Sequence, residues 1–167
     1  MNLTRLTPTH ATLLALLVAL AGILSALAFQ HIGGYAPCDL CLKQRYAYYA
    51  GIPLAALALG LLAMKSRTPA TMLLWLVALA FAANAVLGVY HSGVEWKWWP
   101  GPESCAGGDL GNIGTNLLEA IQNAKPVSCN DAPWRLLGLS FAGWNVVVSL
   151  CVALLAAVGI RNSHAAG

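Results

Sequence analysis

ATLLALLVALAGILSALAF, residues 11–29, is the stretch on which the fold turns. It is apolar or small throughout except for Thr12 and Ser25, and it carries no charge. A helix crossing about 30 Å of hydrocarbon needs roughly 20 such residues. Three further runs match it. Tyr46–Met64 is uncharged between Arg45 and Lys65, Thr71–Tyr90 lies in the uncharged run 68–94, and Ala142–Ile160 lies in the uncharged run 136–160. In lipid every backbone N–H and C=O must be satisfied within the segment, so these runs are expected to be helices. A β-barrel would need ten-residue segments of alternating polarity, and the sequence has none.

Composition agrees. Of 167 residues, 59% are hydrophobic and 9% charged, against about 25% charged in soluble domains. So few charges cannot solvate a globule, and disorder needs the opposite balance. The net charge of +3 is scattered rather than gathered in a basic stripe, which argues against a nucleic-acid partner. The expectation is an all-α integral membrane protein, a single domain over 1–167 built as a four-helix transmembrane bundle. Its spans are placed at about 11–29, 46–64, 71–90 and 142–160, with outer loops at about 30–45 and 91–141.

The charges orient it. Arg5, Lys65, Arg67 and Arg161 lie on one side with no acid among them; all six acids, Asp39, Glu95, Glu103, Asp109, Glu119 and Asp131, lie on the other with Lys43, Arg45, Lys97, Lys125 and Arg135. Short basic segments stay in the cytoplasm. Both termini are therefore expected there, and both larger loops outside. Arg5, the first apolar run and Ala26-Leu27-Ala28 also mimic a cleavable signal peptide. The run of 19 residues is longer than the usual 7–15, which favours a retained span. In the long loop, Trp96, Trp98, Trp99 and Pro100 suit a membrane interface. Gly101-Pro102 and Gly107-Gly108 punctuate irregular chain, and Asn116–Ala124 reads as a short interfacial helix ending at Lys125-Pro126.

Chemistry resides in the cysteines. Cys38 and Cys41 lie in the first outer loop, Cys105 and Cys129 in the second, and Cys151 in the middle of the last span, where it reads as a small buried hydrophobe. If the outer side is a bacterial periplasm, disulfides persist there. Cys38-Asp39-Leu40-Cys41 is a C-x-x-C whose sulfurs reach each other at a helix start. Its short loop stabilises little, so the pair suits redox exchange better than bracing. For Cys105 and Cys129 two readings stand side by side, a staple for the long loop or an exchangeable bond. A four-cysteine zinc site is a rival, weakened by the wide spacing of the second pair; the expectation is no metal. Arg45 lies one helical turn after Cys41, where a cation favours the thiolate; its bland alternative is a snorkelling membrane anchor.

These residues carry a resemblance. Pro37-Cys38-Asp39-Leu40-Cys41-Leu42-Lys43-Gln44-Arg45-Tyr46 resembles the P-C-x-L-C-x-x-[QE]-R motif of the disulfide bond formation protein B (DsbB) family. Tyr90-His91-Ser92-Gly93-Val94-Glu95-Trp96, Trp99-Pro100-Gly101-Pro102 before Cys105, and Trp134-Arg135-Leu136-Leu137-Gly138-Leu139-Ser140 extend it over nearly the whole chain. Ala142-Gly143 departs from the proline many members carry before Trp144.

The resemblance implies an enzyme of the bacterial inner membrane that reoxidises a periplasmic thioredoxin-fold partner, DsbA. Cys105–Cys129 would be attacked first, Cys38–Cys41 second, and the electrons would leave Cys41 for ubiquinone or menaquinone held near Arg45 and His91. DsbA is itself strongly oxidising, at about −120 mV, so its reoxidation needs a strong acceptor such as the quinone pool. Alternatives are a vitamin K epoxide reductase-like enzyme, whose C-x-x-C belongs near a late span, and a non-catalytic scaffold braced by disulfides. Asn84 is expected to join helices within the membrane. Gln30 and His31 are expected at the interface, with Tyr46, Tyr48 and Tyr49 as interface anchors and Tyr46 also a candidate for the quinone site. Gly51 and Pro53 are expected to shape the second span.

Overall fold

The computed structural model describes residues 6–102 and 129–165. It contains four helices long and apolar enough to cross a membrane: α1 (Pro8–His31), α2 (Asp39–Ala63), α3 (Arg67–Glu95) and α4 (Phe141–Ala165). A hairpin of β1 (Arg135–Leu136) and β2 (Leu139–Ser140) precedes α4. Cys105 and the interfacial helix expected over Asn116–Ala124 lie outside the described residues.

Helix starts follow local chemistry. Thr7 caps α1 by accepting from the His10 N–H, with Pro8 in the first turn. α2 begins at Asp39 rather than at the apolar boundary near Tyr46, because Cys38 is its cap: the sulfur accepts from the Cys41 N–H at 3.2 Å. Asp39 then faces the positive end of the helix dipole and pairs with Lys43 at 2.8 Å. The loop expected over 30–45 is thus shorter, and the helix start on which the C-x-x-C was read lies ahead of the span placed at 46–64, with Cys41 and Arg45 one turn apart on α2. α3 likewise runs past Tyr90 to Glu95. Both α2 and α3 end in a left-handed lysine, Lys65 and Lys97, each at φ 61°. The Ser66 N–H returns to Leu61 O and the Trp98 N–H to Gly93 O, satisfying carbonyls that a helix end leaves open.

The helices form a ring in which α1 and α3 each pack between α2 and α4. Ala15, Ala19, Ala55, Ala58 and Ala156 line its interior around Leu74, Val77, Phe81 and Val152. Small residues let backbones approach where lipid offers no hydrophobic drive for association. Gly51 belongs to this logic: a Cβ there would lie 2.5 Å from Phe81 Cε2. Leu17, Leu24, Leu57, Leu79 and Leu154 face outward. Cys151 faces outward with them, contrary to the buried position expected, because Ser149, Val152 and Ala156 occupy the inner face of α4.

Polar groups key the ring together. Asn84 donates to Asn145 Oδ1 at 3.2 Å and to Ser149 Oγ at 2.9 Å, joining α3 to α4 as the sequence suggested. Tyr48 also donates to Asn145 Oδ1, at 2.7 Å, which brings in α2. The segment 136–140, uncharged and continuous with the last apolar run, is a hairpin instead of helix. Its two-residue turn holds Leu137 at φ 53° and Gly138 at φ 81°, both in the left-handed region such tight turns require. At the start of α4, Gly143 leaves room for Leu139: a Cβ would meet that side chain at 3.1 Å.

Candidate redox site

Cys38, Cys41, Arg45 and His91 meet at one cavity of about 890 Å³ between the helices. Each arrives for a local reason. Cys38 caps α2, Cys41 sits in its first turn and Arg45 one turn on, all set by the early helix start. His91 comes from the last turns of α3, which persist beyond the apolar run. The cavity continues along α1 past Phe29, Ala26 and Gly22 to Val18, and along α4 to Val148. Twelve residues separate Val18 from Gln30, so this wall is about 18 Å long at helical rise.

The sulfurs of Cys38 and Cys41 and a ring nitrogen of His91 all lie within 4.8 Å of one another. Cys38 Sγ is 3.6 Å from His91 Nε2. Both thiols are free. Its hydrogen bond with the Cys41 sulfur, with burial behind it, pushes the Cys38 thiol up. Arg45 is only 9% exposed, turned into the bundle rather than out to headgroups. Its Nη1 donates to Gln30 Oε1, so Gln30 orients a guanidinium in addition to ending α1. Cys129 is disulfide-bonded and buried, in the cluster formed by Cys38, Leu40 and Val94. A residue of the second outer loop thus reaches the first cysteine pair.

His91 was expected at this site; Gln44, Glu95 and Ser140 carried no role in the sequence reading. His91, 2% exposed, has its Nδ1 at 2.9 Å from the Gln44 amide nitrogen. Glu95 is a buried carboxylate with Oε1 3.9 Å from His91 Nε2. Its other oxygen accepts from the Ser140 hydroxyl, which in turn caps α4 by accepting from the Gly143 N–H at 3.2 Å. His91 and Glu95 stand four apart, a spacing visible in sequence; Gln44 and Ser140 approach from distant segments and gave no such signal. Of the three tyrosines, Tyr48 lines the cavity at 5% exposure, whereas Tyr46 is 67% exposed and away from it. Tyr48 is therefore a bundle residue, not an interface anchor, and Tyr46 is not in the cavity wall. Trp134 packs on Phe141 and Phe29, both at 5.0 Å between ring centroids, closing the outer end.

The family model described as disulfide bond formation protein DsbB matches residues 8–159. The chain belongs to the DsbB family. It is 31% identical to disulfide bond formation protein B of Aromatoleum aromaticum over 163 residues, covering 93% of this chain and 95% of that one. The namesake in Polaromonas sp. is also 31% identical, covering 93% of this chain and 92% of its own. That of Pasteurella multocida is 34% identical over 139 residues, covering 80% and 74%. No solved structure matches. Family and helices together make this chain a multi-pass protein of a bacterial inner membrane and a disulfide oxidoreductase.

The cavity also suits the cofactor that the resemblance implies. Its volume falls within the roughly 300–1,000 Å³ of ligand pockets. Its length is walled mainly by apolar and small side chains, and a cation, an imidazole and two sulfurs gather at one end. A lipid-soluble ring with polar oxygens needs that asymmetry. The same two sulfurs and imidazole form a donor set that soft divalent ions accept.

Proposed function

We propose that this DsbB reoxidises a periplasmic thioredoxin-fold dithiol oxidase of the DsbA kind and delivers the electrons to a membrane quinone, ubiquinone or menaquinone. The carriers are two cysteine pairs, Cys105 with Cys129 and then Cys38 with Cys41. The observation behind this reading is the shared cavity of Cys41, Arg45 and His91, with Cys129 buried beside Cys38. In the proposed orientation both termini are cytoplasmic and the cysteines face the periplasm, as the basic loops require.

Each residue has a task that follows from its place. Cys129 lies near Cys38, so once a partner dithiol has reduced its disulfide, its thiolate can attack a Cys38–Cys41 disulfide and return the first pair to thiols without long travel. Arg45 favours the thiolate of Cys41, the nucleophilic form, one turn away. Its planar donor fork, steadied by Gln30, also stabilises negative charge at that end of the cavity. His91 sets its Nε2 against the Cys38 sulfur. When bound, a quinone supplies an acceptor for two electrons and two protons.

Oxidation of reduced DsbA by purified protein, with and without ubiquinone, tests the relay. Cys105→Ser and Cys129→Ser are expected to abolish DsbA oxidation while leaving Cys38 and Cys41 able to reduce quinone. Cys38→Ser and Cys41→Ser are expected to stop electron delivery to quinone, and Cys151→Ala to leave turnover intact. Normal DsbA oxidation by a Cys105/Cys129 double variant would overturn the scheme. A second reading, a metal-holding site, rests on the Cys38, Cys41 and His91 donor set; zinc retained by the reduced protein through dialysis would favour it.

A further inference from the structure

The oxidation of two thiols releases two electrons and two protons. Arg45 favours the thiolate of Cys41, while the Cys38 thiol, hydrogen-bonded to the Cys41 sulfur and buried, is held toward its protonated form. That proton has to leave the sulfur as the S–S bond forms. Cys38 faces His91 Nε2 at 3.6 Å, and the same nitrogen faces Glu95 Oε1 at 3.9 Å. Glu95 is fixed from behind by the Ser140 hydroxyl, so its carboxylate cannot swing away to solvent. Gln44 meets Nδ1 on the far side of the ring. An amide serves either tautomer: its nitrogen donates to a bare Nδ1, and turned over its oxygen accepts from Nδ1–H and frees the Nε2 lone pair. Both His91 and Glu95 line the cavity.

We propose that Glu95 is the positioning residue that makes His91 a base for Cys38, forming a buried relay that takes the Cys38 proton as the disulfide closes and returns it into the cavity. This rests on the quinone reading above. The balance is complete. Cys38 S–H gives its proton to His91 Nε2, and its sulfur forms the S–S bond with Cys41. The two electrons pass to the quinone, which takes this proton from His91 and a second from solvent, replacing the one Cys41 gave up on ionising. The imidazolium formed in passing lies between the Gln44 oxygen and the Glu95 carboxylate, which offset its charge away from water. No outside reductant is required. A buried acid held at the end of α3 has no evident bracing task that a glutamine could not perform.

Single-turnover reduction of ubiquinone by dithiothreitol-reduced full-length protein tests this. Glu95→Gln keeps size and hydrogen bonding but cannot offset the charge of the imidazolium. It is expected to lower kcat by about 10²-fold, within the usual range for a positioned acid–base group, with quinone KM within about twofold of wild type. Glu95→Asp is expected to recover most of the rate. A wild-type rate for well-folded Glu95→Gln overturns the relay, and so does a raised KM with unchanged kcat, which would make Glu95 a binding group. A solvent deuterium effect on the wild-type single turnover is independent of folding of any variant. It is expected to be normal and to shrink in Glu95→Gln, and its absence in wild type overturns the proposal. If reduced wild type passes no electrons to ubiquinone, the quinone reading itself falls; if wild type turns over and Glu95→Gln matches it, only the relay falls.

Discussion

At the residue scale, Arg45 divides two physical pictures. An anchoring arginine would extend into headgroups; here the guanidinium is buried, held by Gln30, and on the wall shared with Cys41. Lysine keeps the charge but loses the planar fork. Arg45→Lys is therefore expected to impair quinone reduction moderately and Arg45→Ala severely, in KM and kcat, while exchange between the Cys105–Cys129 pair and DsbA stays near normal. Quinone kinetics on well-folded variants decide it, and unchanged values would return Arg45 to the role of anchor. The C-x-x-C and the arginine one turn on were readable because both lie on a single helix, where spacing alone fixes the face. Glu95 was not. Counted by charge, it joined the outer-loop acids, and only the persistence of α3 to its last turn buries it under His91. Cys151 failed for a related reason, since depth in an apolar run says nothing about which side of the helix meets lipid.

At the scale of the element, the four apolar runs announced the helices, but polar capping set their ends. Cys38 starts α2 ahead of the apolar run, and the C-x-x-C stands in its first turn. The redox pair thus inherits a fixed first turn, with its sulfurs oriented by the same bond that ends the loop. Hydropathy could not locate this boundary, because the first turns of α2 are polar and lie where the membrane core gives way. Packing within α2 is similarly specific. Gly51 faces Phe81, which stands edge-on against Tyr48 with ring centroids 5.1 Å apart. The ring has Tyr48 behind it and little room to retreat. Gly51→Ala is expected to destabilise the protein by about 1–3 kcal/mol, the usual cost of overpacking, despite alanine's better helix propensity. Thermal unfolding in detergent checks the sign; a stabilised variant would show that Phe81 can move.

At the scale of the molecule, the bundle is keyed by a few polar contacts in an otherwise apolar interior. Asn84 supplies two of them and lies away from the cavity wall. Asn84→Leu is expected to lower stability by about 0.6–2 kcal/mol, as hydrogen bonds between membrane helices usually do, with quinone KM unchanged. Unfolding in detergent beside quinone titration separates the two effects, and a raised KM would mean that the keying shapes the cavity. The ring order of helices was not readable from the sequence, since every run was apolar all round and none offered one face to a chosen neighbour. Helix α1 differs from the rest. Among the described residues, its polar ties to other helices sit at its two extremities: Gln30 with Arg45 at one, and the carbonyl of Leu6, just ahead of it, with Asn162 at the other. Between them its inward face, Ala15, Ala19 and Ile23, is hydrocarbon against hydrocarbon. Such contacts trade evenly with acyl chains, so this stave can bow away from its neighbours in mid-bilayer without breaking a hydrogen bond.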